Sequence, residues 1–189
     1  MLKIAQSRGY KRIGFVTNVE SEQRAGRRWS AAFLEFQSRC IPVSGQVPLL
    51  RINCPEADYS TPEFTQIEDW YREHEPDLII SFLDRILCHL VSLGLRSPQD
   101  FGYISMIRSE EMGDIAGYNQ DFEQVGKVAV DIVVDRLFQN KRGVSDHPSS
   151  TLLNGEFVEG PIRKPVEPIE IDFTYVFKIK IQILFARFG

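Results

Sequence analysis

With 189 residues, 43% hydrophobic and 25% charged, the chain can bury a substantial core in one large domain or one and a half small ones. Its formal net charge of -4 lacks the basic excess of proteins that grip phosphate backbones, which disfavours direct nucleic-acid binding, and Cys40, Cys54 and Cys88, odd in number and without CxxC pairing, point to neither a disulfide framework nor a zinc site and suit a reducing cytoplasm. The N-terminal MLKIAQSRGYKR has no apolar core followed by a small-residue cleavage site, and no window reaches the roughly 18 consecutive apolar residues of a membrane span.

Leu2–Arg8 has the pattern of a helix stopped by Gly9, and Arg12–Val16 (RIGFV) then reads as a buried strand. Thr17–Glu22 is polar and is expected to form a loop. From Arg24 to Arg39, Trp29, Ala32, Phe33 and Phe36 recur at helical spacing until Pro42 and Gly45 end the pattern. Val47–Ile52 (VPLLRI) is a second strand, Phe64–His74 a helix and Asp77–Phe82 a third strand, a hydrophobic run that ends close to a carboxylate, Asp84. Arg85–Leu95 predicts a helix broken at Gly94, and the SPQD turn leads into the strand Phe101–Met106 (FGYISM). Such repeated βα units predict an α/β fold with a doubly wound, mostly parallel sheet and right-handed crossovers.

The second half changes character. Asp114–Asp121 reads as irregular, and Phe122–Gln139 as a long amphipathic helix with Val125, Val128, Ala129, Ile132, Val133 and Leu137 on one side. Asn140–Ser150 is rich in turn residues, Thr151–Gly160 (TLLNGEFVEG) can supply a short strand, and Pro161, Pro165 and Pro168 mark a linker. Ile169–Gly189 is dense in β-branched and aromatic residues and fits no core.

No motif for catalysis stands out. There is no GxSxG elbow, GxGxxG, GxxxxGK[ST], HExxH or EF-hand loop, and His74, His89 and His147 occupy unrelated contexts. The expectation is a protein that is not an enzyme and carries no cofactor or metal.

Taken in order, RGYKRIGFV, Arg24 ahead of an AAF helix, EPDLIISFLD, LGLRSPQDFGYISM, NQDFEQVGKVAVDIVVDRL and LLNGEFVEG resemble the effector-binding domain of the lactose-repressor and galactose-repressor (LacI/GalR) family of bacterial transcription regulators over roughly Leu2–Pro165. The resemblance implies a periplasmic-binding-protein-like sensor of two α/β lobes that binds a small effector between them and forms a homodimer. It also implies an N-terminally truncated regulator, in which residues 1–165 are the sensor, helix 122–140 belongs to an incomplete second lobe, 166–189 is an atypical tail, and DNA is read by a helix-turn-helix domain absent from this chain. A solute-binding protein of the same fold, serving transport, is the alternative.

The resemblance also supplies ligand-binding candidates. Arg24 stands where the family's effector arginine precedes its helix, although Arg27 and Arg28 lie close by and a solvated basic helix start is the competing role. Asp84 matches the aspartate of the family's strand-end pair and can either meet the effector or cap the next helix. Leu83 replaces the family's asparagine, and Ser105-Met106-Ile107-Arg108 replaces a Gly-aromatic-Asp-Asp strand end, which removes a carboxylate and adds a cation. Arg24 and Arg108 together therefore suggest a sugar-like effector with an anionic group. Tyr59, after the second strand, is near the position of an aromatic platform for a sugar face.

Overall fold

The computed structural model describes residues 1–53, 63–109, 112–141, 143, 149–160 and 178–181. In chain order these form α1 (Leu2–Ser7), β1 (Ile13–Asn18), α2 (Val19–Arg24), α3 (Arg28–Cys40), a 3-10 turn (Val43–Gly45), β2 (Leu50–Ile52) and α4 (Glu63–His74). There follow β3 (Leu78–Ser81), α5 (Arg85–Ser92), β4 (Gly102–Arg108), β5 (Gly117–Asn119), α6 (Phe122–Phe138), β6 (Thr151–Asn154), β7 (Glu156–Val158) and β8 (Lys178–Ile181).

Hydrophobic runs become central strands because both faces of the sheet are covered. Every residue of β1 and β3 is buried, as are the first five of β4. Side chains alternate between two cores. Ile13, Phe15, Leu78, Ile80, Ile104 and Met106 pack with Ala5 and Phe33 on one face. Val16, Ile52, Ile79 and Tyr103 pack with Ile67, Trp70, Ile86 and Leu90 on the other. The six strands lie in the order β2-β1-β3-β4-β5-β7, with β1 parallel to both β2 and β3, and β3 parallel to β4. The chain therefore steps to one side of β1 for β2 and to the other for β3, which makes β1/β3 the point where the winding reverses.

Four expectations are corrected. Thr17–Glu22 is not a loop: Asn18 ends β1 and caps α2, its Oδ1 accepting from the amides of Glu20 (2.8 Å) and Ser21 (3.5 Å), with Glu20 and Glu22 favourably placed in the first turn. The second strand pairs only over Leu50–Ile52, since Pro48 has no N–H to donate to a ladder. Asp114–Asp121 is not wholly irregular, for β5 forms within it, and the Ser105 amide donates to the Ala116 carbonyl at 2.9 Å just before it. Gly117 makes this approach possible, because a Cβ there would stand 2.6 Å from the Ser105 carbonyl oxygen. Thr151–Gly160 yields two strands, β6 and β7, in different sheets.

The chain divides into two units, Met1–Tyr118 with Phe157–Glu170, and Asn119–Glu156 with Ile171–Gly189. The first holds the cores above. In the second, β6 pairs antiparallel with β8, from Thr151 opposite Ile181 to Asn154 opposite Lys178. Its α6 is capped by Asp121, whose side chain accepts from the Gln124 amide at 3.0 Å, and buries none of its residues. Among the described residues no helix is long and apolar enough to cross a membrane.

Candidate functional site

In an open α/β sheet, ligands bind beyond the carboxyl ends of the strands where the winding reverses. Here that edge is the segment after β1 (Val19 to Arg27) together with the segment after β3 (Phe82 to Asp84). The strand ends beneath it are polar yet fully buried at Thr17, Ser81 and Ser105. Ser81, in register with Val16 on one side and Ser105 on the other, donates its hydroxyl to the Val16 carbonyl at 2.8 Å and accepts from the Leu83 amide at 3.0 Å. Among the described residues the Thr17 hydroxyl has no hydrogen-bond partner.

Asp84 stands at the start of α5 but does not cap it: its backbone is already helical (φ -63, ψ -17) and its side chain accepts no bond from the helix amides. The carboxylate instead accepts from the Tyr103 hydroxyl at 3.3 Å, and that hydroxyl also lies 3.1 Å from the Leu83 carbonyl. Burial pushes the Asp84 carboxyl above its ordinary range, while hydrogen bonds from Ser105 and Tyr103 pull the other way. Burial, reinforced by the Asp84 charge, drives the Tyr103 phenol well above its ordinary value, so it stays a donor. Tyr103 lines a cavity of about 210 Å³ with Leu87, Val91, Ser97, Asp114, Ile115 and Ala116, largely apolar in its lining.

The other sequence candidates separate. Arg24 is exposed at the end of α2, where its Nη2 donates to the Ser21 hydroxyl at 3.2 Å. Arg108 braces the loop after its own strand: Nε donates to the Ile115 carbonyl (2.9 Å) and Nη2 to the Gly113 carbonyl (2.8 Å). Tyr59 lies outside the described residues.

A second cavity, of about 370 Å³, is lined by Val19, Glu22, Gln23, Arg27 and Arg51. Sequence reasoning missed it. Glu22 is 2% exposed, and its carboxylate ties α2 to α3 by accepting from the Ser30 amide (3.2 Å) and the Ser30 hydroxyl. Between the helices the chain turns through two left-handed residues, Gly26 (φ 63) and Arg27 (φ 57), and the Arg27 amide donates to the Glu22 carbonyl at 2.7 Å. Arg51 arrives from β2, opposite Thr17. The legible signal was the glycine inside an otherwise helical basic run, which splits Arg24 from Arg27.

Among the described residues no group of three or more His, Cys, Asp or Glu side chains is placed to hold a metal ion. Cys40 and Cys88 are free, exposed thiols.

No family model and no curated protein matches the sequence. Solved structures do. A LacI family transcriptional regulator from Enterococcus faecium with bound ribose superimposes with a TM-score of 0.62 at 14% identity, covering 88% of this chain and 61% of that one. The transcription regulator CcpA of Lactococcus lactis gives 0.59 at 17% identity over 86% and 59%. A LacI family regulator from Silicibacter pomeroyi gives 0.62 at 19% over 86% and 49%. The chain thus spans about three fifths or less of the length of these proteins. Its mostly parallel six-stranded sheet with covering helices is the α/β, periplasmic-binding-protein-like fold of the LacI-family regulators' effector domain.

Proposed function

We propose that the chain is the effector-sensing part of a cytoplasmic bacterial transcription regulator of the LacI/GalR kind. Residues 1–165 are its sensor portion, helix 122–140 belongs to the second lobe, and operator recognition is carried by a separate helix-turn-helix domain. A small sugar or sugar-like molecule settles on the carboxyl edge of the sheet. Because it binds one conformation of a homodimer more tightly than another, it shifts the population between operator-bound and released states. The role is binding, not catalysis. The observation that supports this most directly is the coincidence of the shared fold with charged and hydrogen-bonding side chains at the point where the winding reverses: Glu22, Arg27 and Arg51 beside β1 and Asp84 with Tyr103 beside β3.

The test is ligand-dependent hydrogen–deuterium exchange on the full chain with a panel of neutral sugars, sugar acids and sugar phosphates. The expected result is a ligand that stabilises the fold, by about 2.7 kcal/mol at a hundredfold excess over Kd. Its protection concentrates in Val19–Arg27 and Phe82–Asp84. Protection that falls elsewhere in the chain, or a panel without a stabilising member, overturns the proposal.

A further inference from the structure

We propose that the cavity lined by Glu22, Arg27 and Arg51 takes a small ligand in which a phosphate or carboxylate group stands next to hydroxyl groups. The inference rests on the sensor proposal above and specifies the chemical class of its effector.

Three observations carry it. Arg27 and Arg51 both line one cavity, and among the described residues neither guanidinium has a hydrogen-bonding or charged partner. Each fork offers paired donors matched to the two oxygens of a carboxylate or phosphate. Glu22, almost fully buried, lines the same cavity, and each of its carboxylate oxygens keeps an acceptor site beyond the bond from Ser30. That acceptor disfavours a bare anion and favours one that brings its own donors. Finally, Arg27 sits at φ 57, a left-handed conformation that side-chain-bearing residues disfavour, directly after Gly26, which adopts it freely. A strained arginine at a cavity-lining position fits a site in which the side chain matters more than the local backbone cost. The volume, about 370 Å³, is at the small end of the roughly 300–1,000 Å³ typical of ligand pockets and suits a molecule of monosaccharide size.

The anion site is therefore not the one expected from the sequence. Arg108 spends two of its donors on backbone carbonyls of its own loop, and Arg24 leans on Ser21.

Isothermal titration calorimetry on the full chain, with the matched pairs ribose 5-phosphate and ribose, gluconate and glucose, and with inorganic phosphate alone, tests the inference. The expected result is that one acidic member binds at least about tenfold more tightly than its neutral counterpart and than inorganic phosphate. Arg27→Gly and Arg51→Gln should each weaken it roughly ten- to a hundredfold. Arg27→Gly removes the left-handed strain, so its melting temperature should stay level or rise, which separates lost binding from lost folding. A neutral sugar that binds as tightly as its acidic partner, or affinity that survives both substitutions, overturns the inference. The sensor proposal would still stand if exchange protection mapped to Val19–Arg27 and Phe82–Asp84, whereas protection elsewhere would remove it separately.

Discussion

Tyr103→Phe isolates the hydrogen bonding beneath Asp84. The phenol is fully enclosed, and its hydroxyl reaches the Leu83 carbonyl at 3.1 Å and the Asp84 carboxylate at 3.3 Å. Phenylalanine keeps the ring in the core beside Ile86 and Leu90 but leaves both acceptors without that donor, one of them charged. Losing a buried donor of this kind costs about 1–3 kcal/mol. At about 2–4 °C per kcal/mol for a chain of this length, a loss near 2 kcal/mol lowers Tm by about 4–8 °C. Urea unfolding followed by fluorescence of Trp29 and Trp70, both in the first unit, measures it directly. The Asp84 carboxyl has a raised folded-state pKa, so folding favours its protonated form. Its contribution is greatest below the unfolded value near 3.8 and is lost as pH rises through the folded value. Asp84→Asn removes that dependence, so wild-type stability should decline relative to Asp84→Asn from about pH 4 upward. Tyr103→Phe deletes a bond that lowers the Asp84 pKa and should extend this decline to higher pH, its onset unchanged. In the Asp84→Asn background, Tyr103→Phe should cost less than in the wild type, by about 0.5 kcal/mol or more. Equal costs in the two backgrounds, or a Tyr103→Phe protein as stable as wild type, would refute the coupling.

Three further outcomes are expected. Gly14→Ala should destabilise by about 1–3 kcal/mol in urea unfolding, because its Cβ would collide with the Trp70 ring, 2.9 Å from Cζ2, and that ring is pinned by a 2.8 Å bond from its Nε1 to the Pro48 carbonyl. Asn18→Ala removes the cap of α2 and should cost about 0.5–2 kcal/mol; an unchanged denaturation midpoint would show that α2 does not depend on its cap. On α6, Val130, Val134, Leu137 and Phe138 are 42–87% exposed and recur at helical spacing, so the protein should bind a hydrophobic dye while folded, and the double substitution Leu137→Lys with Phe138→Ser should lower that fluorescence severalfold.

The sheet was legible wherever burial on two faces wrote a continuous apolar run. β1, β3 and β4 appear within a residue or two of their expected places, as do α4 and α6, while α5 starts as expected and ends three residues early, at Ser92. Elements held by something other than an apolar pattern were not. VESEQR carries no hydrophobic periodicity; α2 exists because Asn18 offers an oxygen to two amides and two glutamates sit in the first turn. β5 is three residues long, below the reach of any alternation, and depends on the closeness that Gly117 permits to Ser105.

The two halves of the candidate site differ in the same way. Asp84 announces itself because a carboxylate breaks the apolar run that a strand buried on both faces requires, and it does stand just beyond the carboxyl end of β3, at the β1/β3 reversal. Glu22, Arg27 and Arg51 carry no such local mark. Arg51 joins the others only through the parallel register that sets it opposite Thr17, and Arg27 only because the left-handed pair Gly26–Arg27 ends one helix and starts the next. Register and a helix break are relations between segments, whereas a strand-end carboxylate belongs to one segment. Charged residues gathered by such relations look, along the chain, like the solvated faces that most charged runs are. What separates them is burial of a partner: an exposed arginine alone says nothing, but two arginines around a carboxylate that is 2% exposed form a cavity whose unmatched charge is positive. The physical content of the site therefore lies in Glu22. If Glu22→Gln leaves effector affinity and the preference for hydroxyl-bearing anions unchanged, the two arginines are ordinary surface cations, and the polar strand ends beneath Asp84 must carry recognition alone.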